Sequence, residues 1–379
     1  LACRHARFAS QLRERLIEVG EQVVDMLDAD RQANHVFRYA GLAELFVREL
    51  AVGGAGRVAG QRLGVADVHQ PREQLQRILE AATGFADDDV EGGHVVHRET
   101  LVPVEPFPFP WPIVDFVDAM PECVQLDAPP LKPMSIAADA DFDLIILCYQ
   151  VWFLSPALPI TAFLHSAEGK RLIRGKPVVT LVACRNMWLS AQETMSRLIT
   201  EAGGTLCDHI ALTDSGHPLA TFITTPRWVL TGKRDRFLGL PPAGVAPEEI
   251  RAARRFGQAL AGALDLSAET TGQPMLAGLR AVTVNPRLAI SERAGRRAFG
   301  VWSRLIRAFG QRGSWQRRPI LLVFSLYLIV MVLTVVPSSL LLQWLLSPLL
   351  KSRLEGLRAR LELPSGSQAF NLEKYDQSR

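Results

Sequence analysis

Apolar runs of strand length, alternating with amphipathic stretches, predict an α/β fold with a parallel sheet and helices on both faces. An uncharged run near the C-terminus adds a transmembrane or re-entrant helical segment. Three observations carry this reading. Phe142–Cys148 (FDLIILC) and Lys176–Ala183 (KPVVTLVA) are nearly unbroken apolar runs, as expected of parallel strands buried on both faces. Helix-like stretches follow each of them, the alternation that builds right-handed βαβ crossovers. From Pro319 to Leu350 there are 32 residues without a charge, and a spanning helix needs about 20.

The elements follow in order. Glu99–Val104 is a short β-like run, stopped by Pro103, Pro106, Pro108, Pro110 and Pro112. Prolines lack the N–H that a sheet interior needs, so this stretch is a surface loop or an edge. Phe107, Phe109 and Trp111 between the prolines form a stiff apolar ribbon that either caps the core or covers a ligand. The strand Phe142–Cys148 is followed by a helical candidate, Leu158–Ser166. Lys176–Ala183 leads into the helical stretch Ala191–Ala202, which Gly203 and Gly204 terminate, and Thr205–Leu212 is a third strand. Pro247–Leu264 places Ile250, Ala253, Phe256, Leu260 and Leu264 at helical spacing.

The first 98 residues differ in composition. They contain no Lys, no Trp and one Pro (Pro71), yet hold five of the eight His and twelve Arg. Weak helical patterning runs through Phe8–Leu27 and Gln74–Ala82. Two readings stand side by side: a helical N-terminal extension, or a stretch translated from a non-native frame of a GC-rich gene. The resulting division is 1–98 atypical extension, 99–265 α/β domain, 266–318 basic linker and amphipathic helix, 319–350 membrane segment, and 351–379 polar tail.

The net charge of +3 gives no bulk argument for nucleic acid as a partner. Cys3, Cys123, Cys148, Cys184 and Cys207 form no C-x-x-C pair and no metal-ligand spacing, so no metal is expected and a reduced, cytoplasm-facing chain is the economical reading. The N-terminus shows no apolar stretch leading to a small-residue cleavage site.

Chemistry in a parallel sheet gathers at the carboxyl ends of its strands. One such end carries Tyr149, Gln150, Val151, Trp152, Phe153 and Leu154; the next carries Ala183, Cys184, Arg185, Asn186, Met187 and Trp188. Two aromatic loops on adjacent strands can line a flat ring; alternatively, each packs on its own helix. Asp208, His209, Asp214 and His217 gather near the third strand's end, where a general base or solvated loop residues are both compatible readings. Cys184 is read as a reactive thiol or a buried one. Arg227, in Thr224-Thr225-Pro226-Arg227-Trp228, either meets a phosphate or carboxylate or is an exposed structural arginine.

At these loops the chain resembles a known group. DLIILCYQVWFLSPALPITAFL is similar to the third strand and following loop of flavodoxin-like quinone reductases, and GKPVVTLVACRNMW to their next strand and flavin loop. The combination PFPFPWPI, YQVWFLSPALPITAFL, ACRNMW and TTPRWVLTGK resembles the dialkylresorcinol-condensing enzyme family of bacterial dialkylresorcinol and aryl-polyene pigment clusters. The likeness covers roughly residues 99–240. It implies a flavodoxin-like fold and FMN as cofactor, held by Tyr149, Gln150, Val151, Trp152, Phe153, Cys184, Arg185, Asn186, Met187 and Trp188. It also implies a hydrophobic acyl-derived substrate, with a ketosynthase and an acyl carrier protein as partners. Such a fold suits oxidation of a cyclic diketone better than carbon–carbon condensation. Rival readings are a membrane-tethered FMN-dependent NAD(P)H:quinone oxidoreductase and a non-catalytic scaffold that has lost its flavin site. One departure bears on all of these. Flavodoxin-like proteins open with a strand and a Ser-x-Thr-Gly loop that holds the FMN phosphate, and residues 1–98 supply neither in recognisable form. Thr271-Gly272-Gln273 follows no strand. The first strand and phosphate loop are therefore expected to be missing or replaced.

Arginine is dense on both flanks of the uncharged run: Arg304, Arg307, Arg312, Arg317 and Arg318 before it, Lys351, Arg353, Arg358 and Arg360 after. That balance suits a re-entrant hairpin with both ends cytoplasmic at a bacterial inner membrane, with Pro337 near the middle as a kink or turn. Ala294–Gly310 sets Phe299, Trp302, Leu305, Ile306 and Phe309 against Arg296, Arg297, Arg304 and Arg307, a pattern that lies on anionic lipid.

Overall fold

The computed structural model describes residues 62–68, 94–214, 216–335, 338 and 355–376. The helical patterns noted over Phe8–Leu27 and Gln74–Ala82 lie outside the described residues.

Strands β1 (Arg62–Val68), β2 (Val95–Leu101), β3 (Leu144–Trp152), β5 (Pro177–Cys184) and β6 (Thr205–Thr213) form a parallel sheet in the order β2-β1-β3-β5-β6. Setting aside the two-residue β4 (Ser155–Pro156), which folds back antiparallel on β3, this is the 2-1-3-4-5 order of the flavodoxin-like doubly wound fold. β3 is central and buried from Leu144 through Tyr149, which is why its sequence carries no polar alternation. β6 carries a bulge opposite Val178/Val179 that leaves Cys207 out of register.

Two sequence expectations are corrected here. The interior position expected to be missing or replaced holds β1, whose RLGVADV is too short and too mixed to signal a strand alone. Pairing with β2 on one side and β3 on the other defines it. The sheet thus begins well before residue 99, and the loop that follows β1 lies outside the described residues.

Helices α1 (Ile113–Asp118) and α2 (Met120–Gln125) follow the proline ribbon; α3 (Leu158–His165) and α4 (Ala167–Ile173) follow β4; α5 (Leu189–Glu201) follows β5 and α6 (Pro218–Thr231) follows β6. The stretch Pro247–Leu264 is two helices, α7 (Pro247–Ala252) and α8 (Arg254–Leu264), separated at Ala253. α8 buries Phe256, Ala259, Leu260 and Leu264, the predicted apolar face.

The region from 266 is not a linker throughout: Leu276, Leu279, Ala281, Val282 and Val284 are buried in the main core, where the Ala211 N–H donates to the Ala281 carbonyl. The C-terminal tail is not simply polar either. Leu357, Leu361 and Tyr375 pack on the same core, and Ser365 is buried. Neither segment has a periodicity that marks it as core, because each meets the core as irregular chain.

α9 (Pro286–Arg307) and α10 (Arg318–Val330) form a second layer. Phe299, Trp302 and Ile306 of α9 pack against Leu321, Phe324 and Tyr327 of α10. This corrects the lipid-facing reading of Ala294–Gly310: three of the five apolar residues named for it face protein, while Leu305 and Phe309 remain exposed. A buried ion cluster fixes the root of α10. Arg317, 1% exposed, donates to Asp118 at 3.1 Å and Glu122 at 2.8 Å, and the Gly313 N–H donates to Asp118.

Candidate functional site

At the carboxyl ends of the paired strands β3 and β5 lies a pocket of about 230 Å³. The two loops singled out in the sequence therefore share one crevice. Gln150, Val151, Trp152 and Phe153 line it from β3, and Ala183, Cys184 and Arg185 from β5. The remaining walls come from the proline ribbon and α1 (Phe109, Trp111, Phe116), from α6 (Thr225, Trp228, Val229), and from Asp214, Gly244 and Val245.

The aromatic wall is built by edge-to-face packing. Trp111 and Phe107 stand at right angles to Trp152 with centroids 5.4 and 5.1 Å away, arrangements that place ring edges on π faces. The Trp152 indole N–H donates to the Gln150 side-chain carbonyl at 3.1 Å, which fixes both side chains. The Trp111 N–H donates to the Val229 carbonyl, stitching the ribbon to α6. In the ribbon Phe107 and Trp111 are buried, the core-capping alternative, and Phe109 sits at the pocket rim against Trp228.

Phe153 and Leu154 form the turn between β3 and β4, both with positive φ (50° and 60°). Two-residue hairpins require this geometry and favour Asn-Gly for it; for residues with a Cβ it costs roughly 1–2 kcal/mol each. Packing holds the turn. Phe153 lies 4.8 Å from Phe116 and 6.2 Å from Phe299, and Leu154 is buried against Gly295, where an added Cβ would come within 3.1 Å of its Cδ1.

The polar end belongs to Arg185 and Asp214. The Arg185 Nε–H donates to Thr221 Oγ1 at 2.6 Å, and its guanidinium lies 3.6 Å over the Phe222 ring. Burial lowers its pKa to about 10 against the opposing pull of Asp214, so it stays cationic at neutral pH. Asp214 accepts from the Gly216 and Gly244 N–H groups at 2.8 and 2.7 Å. Those bonds tie the loop after β6 to the loop before α7. Cys184 is half-buried at the pocket wall; desolvation first, then the negative charges of Glu292 and Asp214, hold its pKa well above the ordinary value, so the thiol is protonated at neutral pH.

Four sequence candidates fall outside the pocket lining. Tyr149 points into the core, where its hydroxyl donates to Gln192 at 2.7 Å and burial raises its pKa. Asn186 and Met187 do not line the pocket. Trp188 is buried with its ring 4.8 Å from that of His209. Tyr149 lies one residue too deep in the sheet, where β3 is still fully buried, and Asn186–Trp188 lie past the end of β5, where the chain turns into α5.

Asp208 and His209 are structural in their contacts. Asp208 accepts from Ser365 and from the Met275 and Leu276 N–H groups; burial, opposed by these donors, raises its pKa to about 6. The His209 ring lies 2.9 Å from Thr180 Oγ1, and burial drives its pKa down to about 3, leaving it neutral. Arg227 is a structural arginine, paired with the Asp235 carboxylate of its own chain at 3.0 Å. Phe116, Gly244 and Val245 had no local signal and reach the pocket only through tertiary packing. Among the described residues, no cluster of three or more His, Cys, Asp or Glu has an arrangement that could hold a metal.

Neither the family models nor the curated proteins compared with this chain give a match. Solved structures with partial likeness include a flavoprotein in complex with FMN from Lactobacillus acidophilus NCFM (16% identity, 40% of this chain and 93% of that one, TM-score 0.32). Another is a flavoprotein from Bacteroides uniformis ATCC 8492 (14% identity, 41% and 91%, TM-score 0.30). A third comes from Bacteroides eggerthii DSM 20697 (16% identity, 40% and 87%, TM-score 0.29). At these scores the likenesses carry no weight of their own. The strand order defines the class: a flavodoxin-like α/β protein, with one long apolar helix among the described residues, toward the C-terminus.

Proposed function

We propose that this chain is a membrane-attached flavodoxin-like protein of dialkylresorcinol and aryl-polyene pigment biosynthesis, which binds FMN and forms or oxidises an acyl-derived cyclic diketone ring. The observation that carries the reading is the aromatic-walled crevice shared by the ends of β3 and β5. Its walls suit a flat ring. Trp111, Trp152 and Phe153 offer apolar surface, and Gln150 and Arg185 supply polar groups at its margin. A volume of about 230 Å³ falls just below the range of about 300–1,000 Å³ usual for ligand pockets. It fits the ring portion of a mononucleotide better than the whole. The loop after β1, the place where flavodoxin-like folds hold a phosphate, lies outside the described residues.

Bound FMN supplies a two-electron acceptor, and loss of two hydrogens converts a cyclohexanedione to a resorcinol. In this reading Trp111 and Trp152 position the flat rings and exclude water. Arg185 holds a positive charge at the polar end, where a developing enolate is stabilised. The neutral Cys184 thiol stays out of the chemistry. The partners in this reading are a ketosynthase and an acyl carrier protein, and the site faces the cytoplasm. Attachment to lipid rests on Trp315–Thr334, long and apolar enough to cross a membrane by length and composition.

Absorbance near 450 nm in the purified full chain tests the first half. Stoichiometric flavin is expected, lost in Trp152→Ala; a colourless protein that stays colourless when FMN is added leaves the scaffold reading. Robust NADH-driven reduction of simple quinones in membranes would instead select the quinone reductase.

A further inference from the structure

The apolar segment begins and ends on one folded domain, and this has a topological consequence. On the entry side, Arg317 is clamped between Asp118 and Glu122, its Nε–H donates to the Gly310 carbonyl at 2.7 Å, and Gln125 donates to Ser303 at 2.6 Å. These bonds pin the start of α10 to α1 and α2, and α2 to α9. On the return side, Leu357 and Leu361 pack against the main core. The Ser365 hydroxyl accepts from the His209 N–H and donates to Asp208, both at 2.7 Å. The Arg280 and Val282 N–H groups donate to the Gln368 and Gly366 carbonyls. Residues on both sides of the apolar stretch are thus built into one domain.

The helix itself is divided lengthwise. Leu321, Phe324, Tyr327 and Leu328 pack on the protein. The opposite arc carries Leu322, Leu326, Ile329 and Leu333, which are 74, 61, 56 and 69% exposed. These residues recur at the three- and four-residue spacing of one helical face. A water-facing arc of a soluble helix carries polar residues; this one carries none between Leu322 and Leu333 apart from positions turned to the protein. Arg304, Arg312 and Arg318 are exposed near its base, the sign that anionic headgroups attract.

From these observations, and resting on the membrane attachment proposed above, we infer that the protein is monotopic. α10 lays its exposed apolar arc into the near leaflet, and the root of α10 and residues 355–376 stand on the same side of the bilayer. A single crossing would put residues 355–376 beyond a hydrocarbon core of ~30 Å, where they could not reach Asp208 or the core. Two full crossings need ~40 residues; residues 319–354 number 36, and the first turns of α10 are already spent on protein packing. The partner is therefore the outer half-thickness of an anionic bilayer, met from one side.

Site-directed labelling of the full chain tests this. Gln311→Cys and Glu373→Cys, both exposed positions, are made separately, and a membrane-impermeant maleimide is applied to inverted and right-side-out membrane vesicles. The wild-type cysteine signal is subtracted. Both sites are expected to label several-fold better in the same vesicle preparation. Labelling in opposite preparations overturns the inference while leaving membrane attachment intact. Flotation with 3:1 phosphatidylcholine–phosphatidylglycerol vesicles separates the two failures. A chain that neither floats nor sediments with membranes defeats the attachment as well, and a concentration-dependent dimer in that case assigns the apolar arc to a second copy.

Discussion

Individual side chains here are held by groups that leave little freedom. Arg317 sits in a buried cluster with Asp118 and Glu122. Removing one partner of a buried pair strands the others, a loss of ~3–5 kcal/mol. Arg317→Met is therefore expected to lower the denaturant midpoint sharply, and an unchanged midpoint would show the cluster to be energetically idle. The His209 ring titrates near 3 in the fold against 6.5 in free chain. Its contribution to stability is complete above pH 6.5 and is lost as pH falls toward 3, by ~1.4 kcal/mol per pH unit. Asp208 runs the other way, because a carboxyl raised to about 6 favours the fold at low pH and loses that contribution as pH rises from 3.8 through 6. The difference in unfolding free energy between wild type and His209→Gln should therefore shrink on acidification from pH 6.5 to 4. Parallel curves would place His209 in water. Ser365→Ala removes the hydroxyl that serves both the His209 N–H and Asp208, with an expected cost of ~1–3 kcal/mol.

Secondary-structure elements owe their limits to local chemistry. The Ser166 hydroxyl accepts from the Gly169 N–H at 2.9 Å and caps α4. Ser166→Ala should cost ~1 kcal/mol, read as a small fall in thermal midpoint with the fold unchanged. Gly169 cannot be replaced there, since a Cβ would fall 1.9 Å from the Phe163 carbonyl oxygen. α10 is limited by its surroundings more than by its own sequence. One arc completes the protein and the other remains apolar and uncovered. Leu322→Glu with Leu326→Glu charges only the uncovered arc, so the fold should survive while the protein leaves the membrane fraction. Loss of soluble expression instead would mean that this arc is covered by protein.

At the largest scale, segments far apart in sequence complete the described sheet and its core. β1 fills the sheet's interior from far upstream, and residues 355–376 return to brace β6 from far downstream. By itself the sequence determined the buried strands β3, β5 and β6, the helices between them, the shared loops and the uncharged C-terminal run. Each of these is a local pattern: a run of apolar residues long enough to bury, or one spaced to a helix face. Tertiary structure alone decided that RLGVADV is the interior strand, and that 276–284 is core. It also decided that Ser365 bonds Asp208, and that Phe116, Gly244 and Val245 share a pocket with Trp152. Those roles depend on partners dozens to hundreds of residues away. A segment that pairs on both sides, or packs as irregular chain, needs no periodicity of its own, so no local pattern records it.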